Sequence, residues 1–543
     1  MSIQKAEMGS LGLEEISLET SAETAKTAET AEMKPLVLDD LPLEIREAIA
    51  KMLRTHCFYP TPHLASYKAS KKTLSSLCLV SKKWNEIATP LLYETFNSTE
   101  KNTTFGFLEA IIKRPDLGAH VKTAYLTPSG SLYRKAQANR YKQSISDRAA
   151  AVGIDPVEHD RYWGSRSSHA DSIWESDLRF FLEEMILLHT PNMVSVTFKD
   201  RPEVVDARFA FRFLAMAAVQ NPQELEYQNP LLLEQQDPEQ QQKRQWDGLK
   251  SLRNVAIEMG VSSVTDERSH AGYLCRLASF APHVRVLKIH EVFVPYCFHG
   301  HRLASHAASL PRPPMVVPPR LAVFLANLTS LKFASHVRFA ESPKVLRQMV
   351  AHCTGLVEVQ YAAGSLDAAS ALHILYPLRP TLKRLRLTLQ VAPGDRTIWD
   401  GLNSLHVSPF HIVASFAALE VLRFDFTGRC LNELPPCYAN RPDMTAALMR
   451  ALPPSLRVLF LTGCEWAYLV EGISQLRKLL EERALPRLQK LHVACTSLAR
   501  DRPFIDTFAK LGVDMKIFLH RFASREENAG LEEEGWDQYG SLA

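Results

Sequence analysis

The sequence predicts an α/β fold in which a short three-helix segment leads into an irregular α/β solenoid. Nine short segments of the form L-x-x-L-x-L, with other apolar residues standing in for some leucines, recur between residues 193 and 493. Between them lie stretches with apolar residues at helical spacing, and strand alternating with helix is the pattern of stacked α/β repeats. The helical segment is set apart by a third observation. Residues 37–96 carry apolar residues at helical spacing and no strand-like alternation.

Residues 1–36 include LETSAETAKTAETAEMK, rich in Ala, Glu and Thr and poor in large apolar groups. Such a composition buries too little surface to offset the entropy of ordering, so a disordered tail is expected. In LVLDDLPLEIREAIAKMLR, Asp39 and Asp40 precede a helix start, Pro42 suits the first helical position, and Glu44 suits the positive end of the dipole. Ile45, Ala48, Ile49, Met52 and Leu53 then form one apolar stripe. A linker over 55–72 contains Pro60 and Pro62. A second helix is expected from Thr73 to Asn85 and a third from Glu86 to Tyr93, bent or broken at Pro90. The stretch SLCLVSKKWNEIATPLLYETF is apolar on more than one side, which exceeds what a single core-facing stripe requires.

The repeated segments are MVSVTF, LRNVAI, VRVLKI, LTSLKF, LVEVQY, LKRLRL, LEVLRF, LRVLFL and LQKLHV. Several have a further apolar residue three positions upstream, as at Leu325, Phe416 and Leu485. Their last apolar positions alternate with period two, which predicts strands. DLRFFLEEMILLH, SPKVLRQMVAHC, MTAALMRAL and GISQLRKLLEERAL between them read as helices. Successive segments start 26 to 59 residues apart. Regular leucine-rich repeats run about 20–29 residues, so these turns carry longer helices or insertions. The expected organisation is a tail over 1–36, the helical unit over 37–96, a repeat-like substrate-binding unit over 97–520, and an acidic tail over 521–543. Loop insertions are expected near 128–170, 234–245 and 290–320.

Apolar residues make up 46% of the 543 and charged residues 23%, a globular composition. A net charge of +3 predicts no global attraction to nucleic acid. Nine cysteines without a CxxC pair, and no signal peptide, fit a reduced intracellular protein, cytoplasmic or nuclear. The sequons at Asn97, Asn102 and Asn327 are then expected to stay unused. No run of 18 apolar residues predicts a membrane span. The chain has neither a CaaX ending nor a glycine after Met1.

Leu41-Pro42, Glu44-Ile45, and then Leu77, Val80, Ser81, Lys82 and Trp84 follow one another in the order of a Leu-Pro helix start and a Leu-x-x-Val-Ser-Lys-x-Trp pattern. With the ATPLLYETF and FLEAIIKRPDLGAHVKTAYL that follow, the chain resembles fungal F-box proteins with an irregular leucine-rich-repeat-like C-terminal domain. The diagnostic motifs cover residues 41–125 and the architecture about 37–520. The linker between the first two helices is longer than the family pattern, and most segments lack the Asn or Cys of a regular leucine-rich turn. Cys464 is the clearest match, and Cys495 stands one position early. The resemblance implies a non-catalytic substrate receptor of a Skp–cullin–F-box ubiquitin ligase. Its F-box would bind a Skp-type adaptor and, through it, a cullin. The second domain would capture a protein substrate, with no cofactor, nucleic acid or membrane involved.

Carried over by position, Leu41, Pro42, Ile45, Leu53, Leu77, Val80 and Trp84 become adaptor-facing candidates. The same Ile45, Leu53 and Leu77 would serve equally as internal core of three packed helices. On the repeat unit, the middle residue of each L-x-L strand points away from the core. Those positions read Thr197, Ala256, Lys288, Lys332, Gln360, Arg386, Arg423, Phe460 and His492. Lys288, Lys332, Arg386 and Arg423 form a basic stripe able to receive an acidic or phosphorylated segment. A solvated face, or pairing with Glu358, Glu420 and Asp425, accounts for them as well.

Catalytic chemistry finds little support. His290, Cys297, His299, His301 and His306 cluster without an established ligand spacing, so no metal is expected. Glu183 and Glu184 read as a solvated helical strip. No P-loop, HExxH or GxSxG is present. An interaction scaffold outside any ligase, or an α/β enzyme without recognised motifs, are the remaining classes.

Overall fold

Three helices open the chain in the computed structural model, which describes residues 38–54, 64–98, 103–126, 135–151, 171–199, 249–260, 274, 277–292, 319–335, 343–363, 368–390, 409–427, 443–464, 466–495 and 502–519. A 3-10 turn at Leu38–Asp40 precedes α1 (Leu43–Met52), followed by α2 (Leu64–Val80) and α3 (Lys82–Glu94). The second helix begins earlier than its composition predicted and ends at Val80 rather than Asn85. Ser81 is extended and its side chain accepts a hydrogen bond from the Trp84 N–H, which starts α3. The helix then runs through Pro90 to Glu94 instead of breaking there.

The rest is a mixed α/β assembly around one twelve-stranded sheet. Its strands are β1 (Thr95–Asn97), β2 (Thr123–Leu126), β3 (Ser195–Lys199), β4 (Asn254–Gly260), β5 (Val286–Val292), β6 (Ser330–Ser335), β7 (Glu358–Ala363), β8 (Arg384–Gln390), β9 (Val421–Thr427), β10 (Val458–Cys464), β11 (Lys490–Cys495) and β12 (Asp514–Leu519). Each pairs in parallel with its successor, so spatial order equals sequence order.

The helices of this assembly are α4 (Thr103–Lys113), α5 (Pro115–His120), α6 (Lys135–Ala151), α7 (Asp171–Leu188), α8 (Pro319–Ala326), α9 (Pro343–His352), α10 (Ala368–Leu375), α11 (Asp443–Arg450), α12 (Trp466–Glu481) and α13 (Arg502–Lys510).

A recurring hydrogen-bond unit sets the register. At nine of the apolar corners the carbonyl one residue beyond accepts two consecutive N–H groups from the start of the next strand. The Arg253 carbonyl takes Arg285 and Val286 at 2.8 and 3.0 Å, that of Arg285 takes Thr329 and Ser330, and that of Lys383 takes Glu420 and Val421. Just before it, the corner residue donates back three positions, as in Leu328 to Leu325, Leu419 to Phe416 and Leu488 to Leu485. The upstream apolar residue in the sequence is therefore the first residue of a tight turn, and Leu325, Phe416 and Leu485 are all buried.

This register stacks like on like. Val255, Leu287, Leu331, Val359, Leu385, Leu422, Leu459 and Leu491 are successive partners across eight strands. They join Phe181, Phe324, Leu372, Met449, Ile473 and Phe508 from the helices in one continuous apolar core. The core thus lies between one face of the sheet and the helices.

All nine expected strands are present, together with β1, β2 and β12, which lack the full leucine signature. The polar stretch 128–170 is not loop throughout, since it contains α6, and Ile145 and Ala149 of that helix are buried in the core. Residues 290–292 belong to β5 and residues 319–320 to α8, which narrows that insertion at both ends. The segments 1–36, 234–245 and 521–543 lie outside the described residues. A register shift in β10 places Cys464 opposite Cys495, so the one-position offset between them is absorbed by the backbone.

Two ionic arrangements tie elements together. Glu94, at the end of α3, receives both Nε (2.6 Å) and a terminal nitrogen of Arg54, just beyond α1. It also lies 3.5 Å from Lys122 Nζ, and its carbonyl accepts the Lys122 N–H, so the helical unit is fastened to the approach to β2. Burial pushes the Glu94 carboxyl up, but Arg54 and Lys122 together hold it below the ordinary glutamate value. Behind α7, Arg148 Nε donates to His189 Nε2 at 2.8 Å. Arginine only donates, so Nε2 accepts and Nδ1 carries the proton that bonds the Met185 carbonyl at 2.7 Å. Burial and Arg148 keep this imidazole neutral and its pKa below 6.5.

Leu422→Ala, at a fully buried position, should lower stability by about 2–5 kcal/mol in urea unfolding. His189 binds a proton more readily unfolded than folded, so its contribution is complete above pH 6.5 and declines as the pH falls below it. The urea midpoint should therefore drop between about pH 7 and pH 5.5. His189→Gln should flatten part of that slope, with the remainder carried by residues such as His492, whose pKa is lowered too.

Candidate functional site

The helical unit presents an apolar surface outward. In α1 only Ala50 is buried. The predicted stripe faces away from the protein's own core, with Ile45 48% and Met52 85% exposed, Ala48 exposed and Ile49 half-buried. Leu79 and Val80 at the end of α2 are 86% and 52% exposed, and Leu38 and Leu43 are about half exposed. Ser81 Oγ donates to Asp39 Oδ1 at 2.8 Å, which holds the end of α2 against the turn that precedes α1. Large apolar side chains are thus left in water on two elements joined by this bond, an exposed apolar patch.

The seven adaptor-facing candidates divide. Pro42, Ile45 and Val80 are exposed, and Leu41, Leu53 and Leu77 are half-buried. Trp84 is a correction: it is fully buried and fills the interior of the helical unit. The reason is the break at Ser81. Val80 and Trp84 share a face only if one helix carries both, and the Ser81 cap places them on different helices. Leu38, Leu43, Met52 and Leu79 were missed. Met52 was readable as part of the stripe, whereas the exposure of Leu79 depends on where α2 ends.

On the sheet, the expected row is real. Thr197, Ala256, Lys288, Lys332, Gln360, Arg386, Arg423, Phe460 and His492 are direct register partners across successive strands. Lys288, Lys332, Arg386 and Arg423 are thereby brought together, but not as an uncompensated positive stripe. Lys332 Nζ lies 3.9 Å from Glu358. Arg386 and Arg423 converge on Asp425, 1% exposed, through Nε bonds of 2.5 and 2.6 Å to its two oxygens. Thr388 and Thr462, both register partners of Asp425, donate to the same carboxylate, Thr388 at 3.1 Å.

Burial alone would push the Asp425 carboxyl up, but the two guanidinium groups and the Thr462 hydroxyl hold it below its ordinary value. The basic-stripe expectation is corrected accordingly: at three of its four positions the charge is met within the sheet. Beside the network, Arg423 lies 5.9 Å from the Phe460 ring, which packs at 4.7 Å on His492. This second face of the sheet is therefore partly closed, with Arg423 and Phe460 each 7% exposed.

Other expectations resolve locally. Glu183 and Glu184 are buried rather than solvated, because α7 is enclosed on all sides from Phe181 to Leu187. The Cys353 and Cys495 thiols are pushed up to about 12 and about 11 by burial, which keeps them protonated. Of the histidine–cysteine cluster only His290 lies within the described residues, and among those residues no group of three or more His, Cys, Asp or Glu is placed to hold a metal ion. No described helix is long and apolar enough to cross a membrane.

No protein-family model matches the chain, and no curated protein matches it.

Asp425→Ala would leave two guanidinium groups without their carboxylate, one of them buried. Removing one partner of a buried ionic pair costs about 3–5 kcal/mol. A loss of that order in denaturant unfolding is expected, with Asp425→Asn intermediate because it keeps an acceptor oxygen.

Proposed function

We propose that this protein is a non-catalytic substrate receptor of a Skp–cullin–F-box ubiquitin ligase. In this reading α1–α3 are an F-box that docks on a Skp-type adaptor and, through it, on a cullin. The sheet and its helices are a leucine-rich-repeat-like solenoid that captures a protein substrate in the cytoplasm or nucleus.

The observation that carries the reading is the outward apolar stripe of α1, joined by the exposed end of α2. A helix that turns Ile45 and Met52 to water while burying only Ala50 has its apolar face reserved for another surface. Burying each large side chain contributes roughly 1.5–3 kcal/mol, while association costs an estimated 4–15 kcal/mol, so several anchors must engage together. Leu38, Leu43, Ile45, Met52, Leu79 and Val80 supply that number. Trp84 supports the surface from beneath by fixing α3 rather than by contact. The strictly sequential parallel sheet supports the solenoid half of the reading, since stacked repeats pair each strand only with its neighbours.

Co-expression of the full chain with a Skp adaptor tests the proposal. Ile45→Glu combined with Val80→Glu removes two anchors, worth roughly 3–6 kcal/mol together, which is on the order of 100-fold or more in affinity. Both side chains are half exposed or nearly so, so the unfolding temperature should barely change while adaptor recovery collapses. Undiminished recovery by the double variant would falsify the adaptor assignment.

A further inference from the structure

The strand-opening carbonyls that each accept two N–H groups belong to nine residues in a single line along the N-terminal rim of the sheet: Lys122 and Val194 begin the line, and Arg457 lies at its far end. Five of the nine are basic (Lys122, Arg253, Arg285, Lys383 and Arg457), and the one acidic member is Glu420. The basic residues are exposed except Arg253, which is half-buried. Glu420 lies 3.7 Å from Lys383 and 3.8 Å from Arg457, so one carboxylate serves two cations. Arg253 and Arg285 stand at the heads of adjacent strands, about 4.8 Å apart along the backbone ladder, where like charges destabilise. The whole chain has a net charge of only +3, so five cations set against Glu420 in the line and Glu94 beside Lys122 are a local concentration.

We propose that this rim, rather than the sheet face on which three of the four cations are paired, is a docking line for an extended Asp/Glu-rich segment of a partner protein. From Arg253 to Arg457 there are six strand spacings, roughly 29 Å, which an extended segment spans in about nine residues. No aromatic residue occurs among the nine positions. The line therefore offers charge without the stacking platform that single-stranded nucleic acid uses, and this favours an acidic polypeptide. As the substrate side of a ligase receptor the inference rests on the function proposed above, but its test does not.

The probe is a fluorescein-labelled polyglutamate peptide of about nine residues, titrated by fluorescence anisotropy into the full chain. Arg285→Gln with Lys383→Gln should weaken binding about tenfold and reduce its salt dependence, with the circular-dichroism melt unchanged. Glu420→Gln frees Lys383 and Arg457 and should tighten binding about threefold, a gain that no loss of folding can produce. The Ile45→Glu, Val80→Glu chain should bind the peptide like the wild type, which separates this result from the fate of the adaptor reading. Unchanged affinity in the Arg285/Lys383 variant overturns the proposal. So does tighter binding of an oligothymidine or of phosphatidylserine vesicles than of the peptide, with the same dependence on these residues.

Discussion

The carbonyl that opens a strand and accepts two N–H groups from the next turn, at nine places along the sheet, is the constraint on which the rest of the sheet depends. Once Arg253 holds Arg285 and Val286, and Arg285 holds Thr329 and Ser330, strand order must follow chain order and every strand must run parallel to the last. The chain must then return to the start of the sheet before each new strand. Those returns carry the helices, and their apolar faces close the core over the leucine rows. A one-residue slip at any turn would send that strand's leucines to the polar face.

The same register creates polar chemistry on the opposite face. Arg386 and Arg423 are partners across β8 and β9, and Thr388, Asp425 and Thr462 are partners two residues further along. Polar residues from three separate strands thus meet around one buried carboxylate. A fully bonded network of this kind holds β8, β9 and β10 to a single arrangement, because any partial rearrangement leaves buried charge without a partner. It also engages Arg386 and Arg423, two of the four cations of that row, with one carboxylate.

The helical unit is organised on the opposite logic. Trp84, Leu74 and Tyr67 are buried, and Glu94 joins Arg54 within the unit to Lys122 outside it, so its apolar interior is closed without the α1 stripe. The unit is complete with an apolar face to spare. That surplus is the feature on which the proposed adaptor contact rests.

Much of this was legible in the sequence, for reasons tied to particular residues. Period-two alternation after a corner leucine is local, so nine strands, their in-register middle row and the helices α7, α9, α11 and α12 could be read without tertiary information. The amphipathic stripe of α1 was equally plain. What the sequence alone could not decide was direction and pairing. Periodicity says that Ile45 and Met52 share a face, but only packing shows that this face is the outer one. The Val80–Trp84 spacing has two meanings, and the side-chain cap at Ser81 selects the one that buries the tryptophan. Glu183 and Glu184 look solvated until the surroundings of α7 enclose them. The charge on the basic row is visible residue by residue, but its cancellation by Asp425 depends on which oxygen each guanidinium reaches across neighbouring strands. Local pattern determined the elements and their faces. Tertiary structure decided which faces meet water and which charges meet each other, because those outcomes depend on distances between residues that the chain itself keeps far apart.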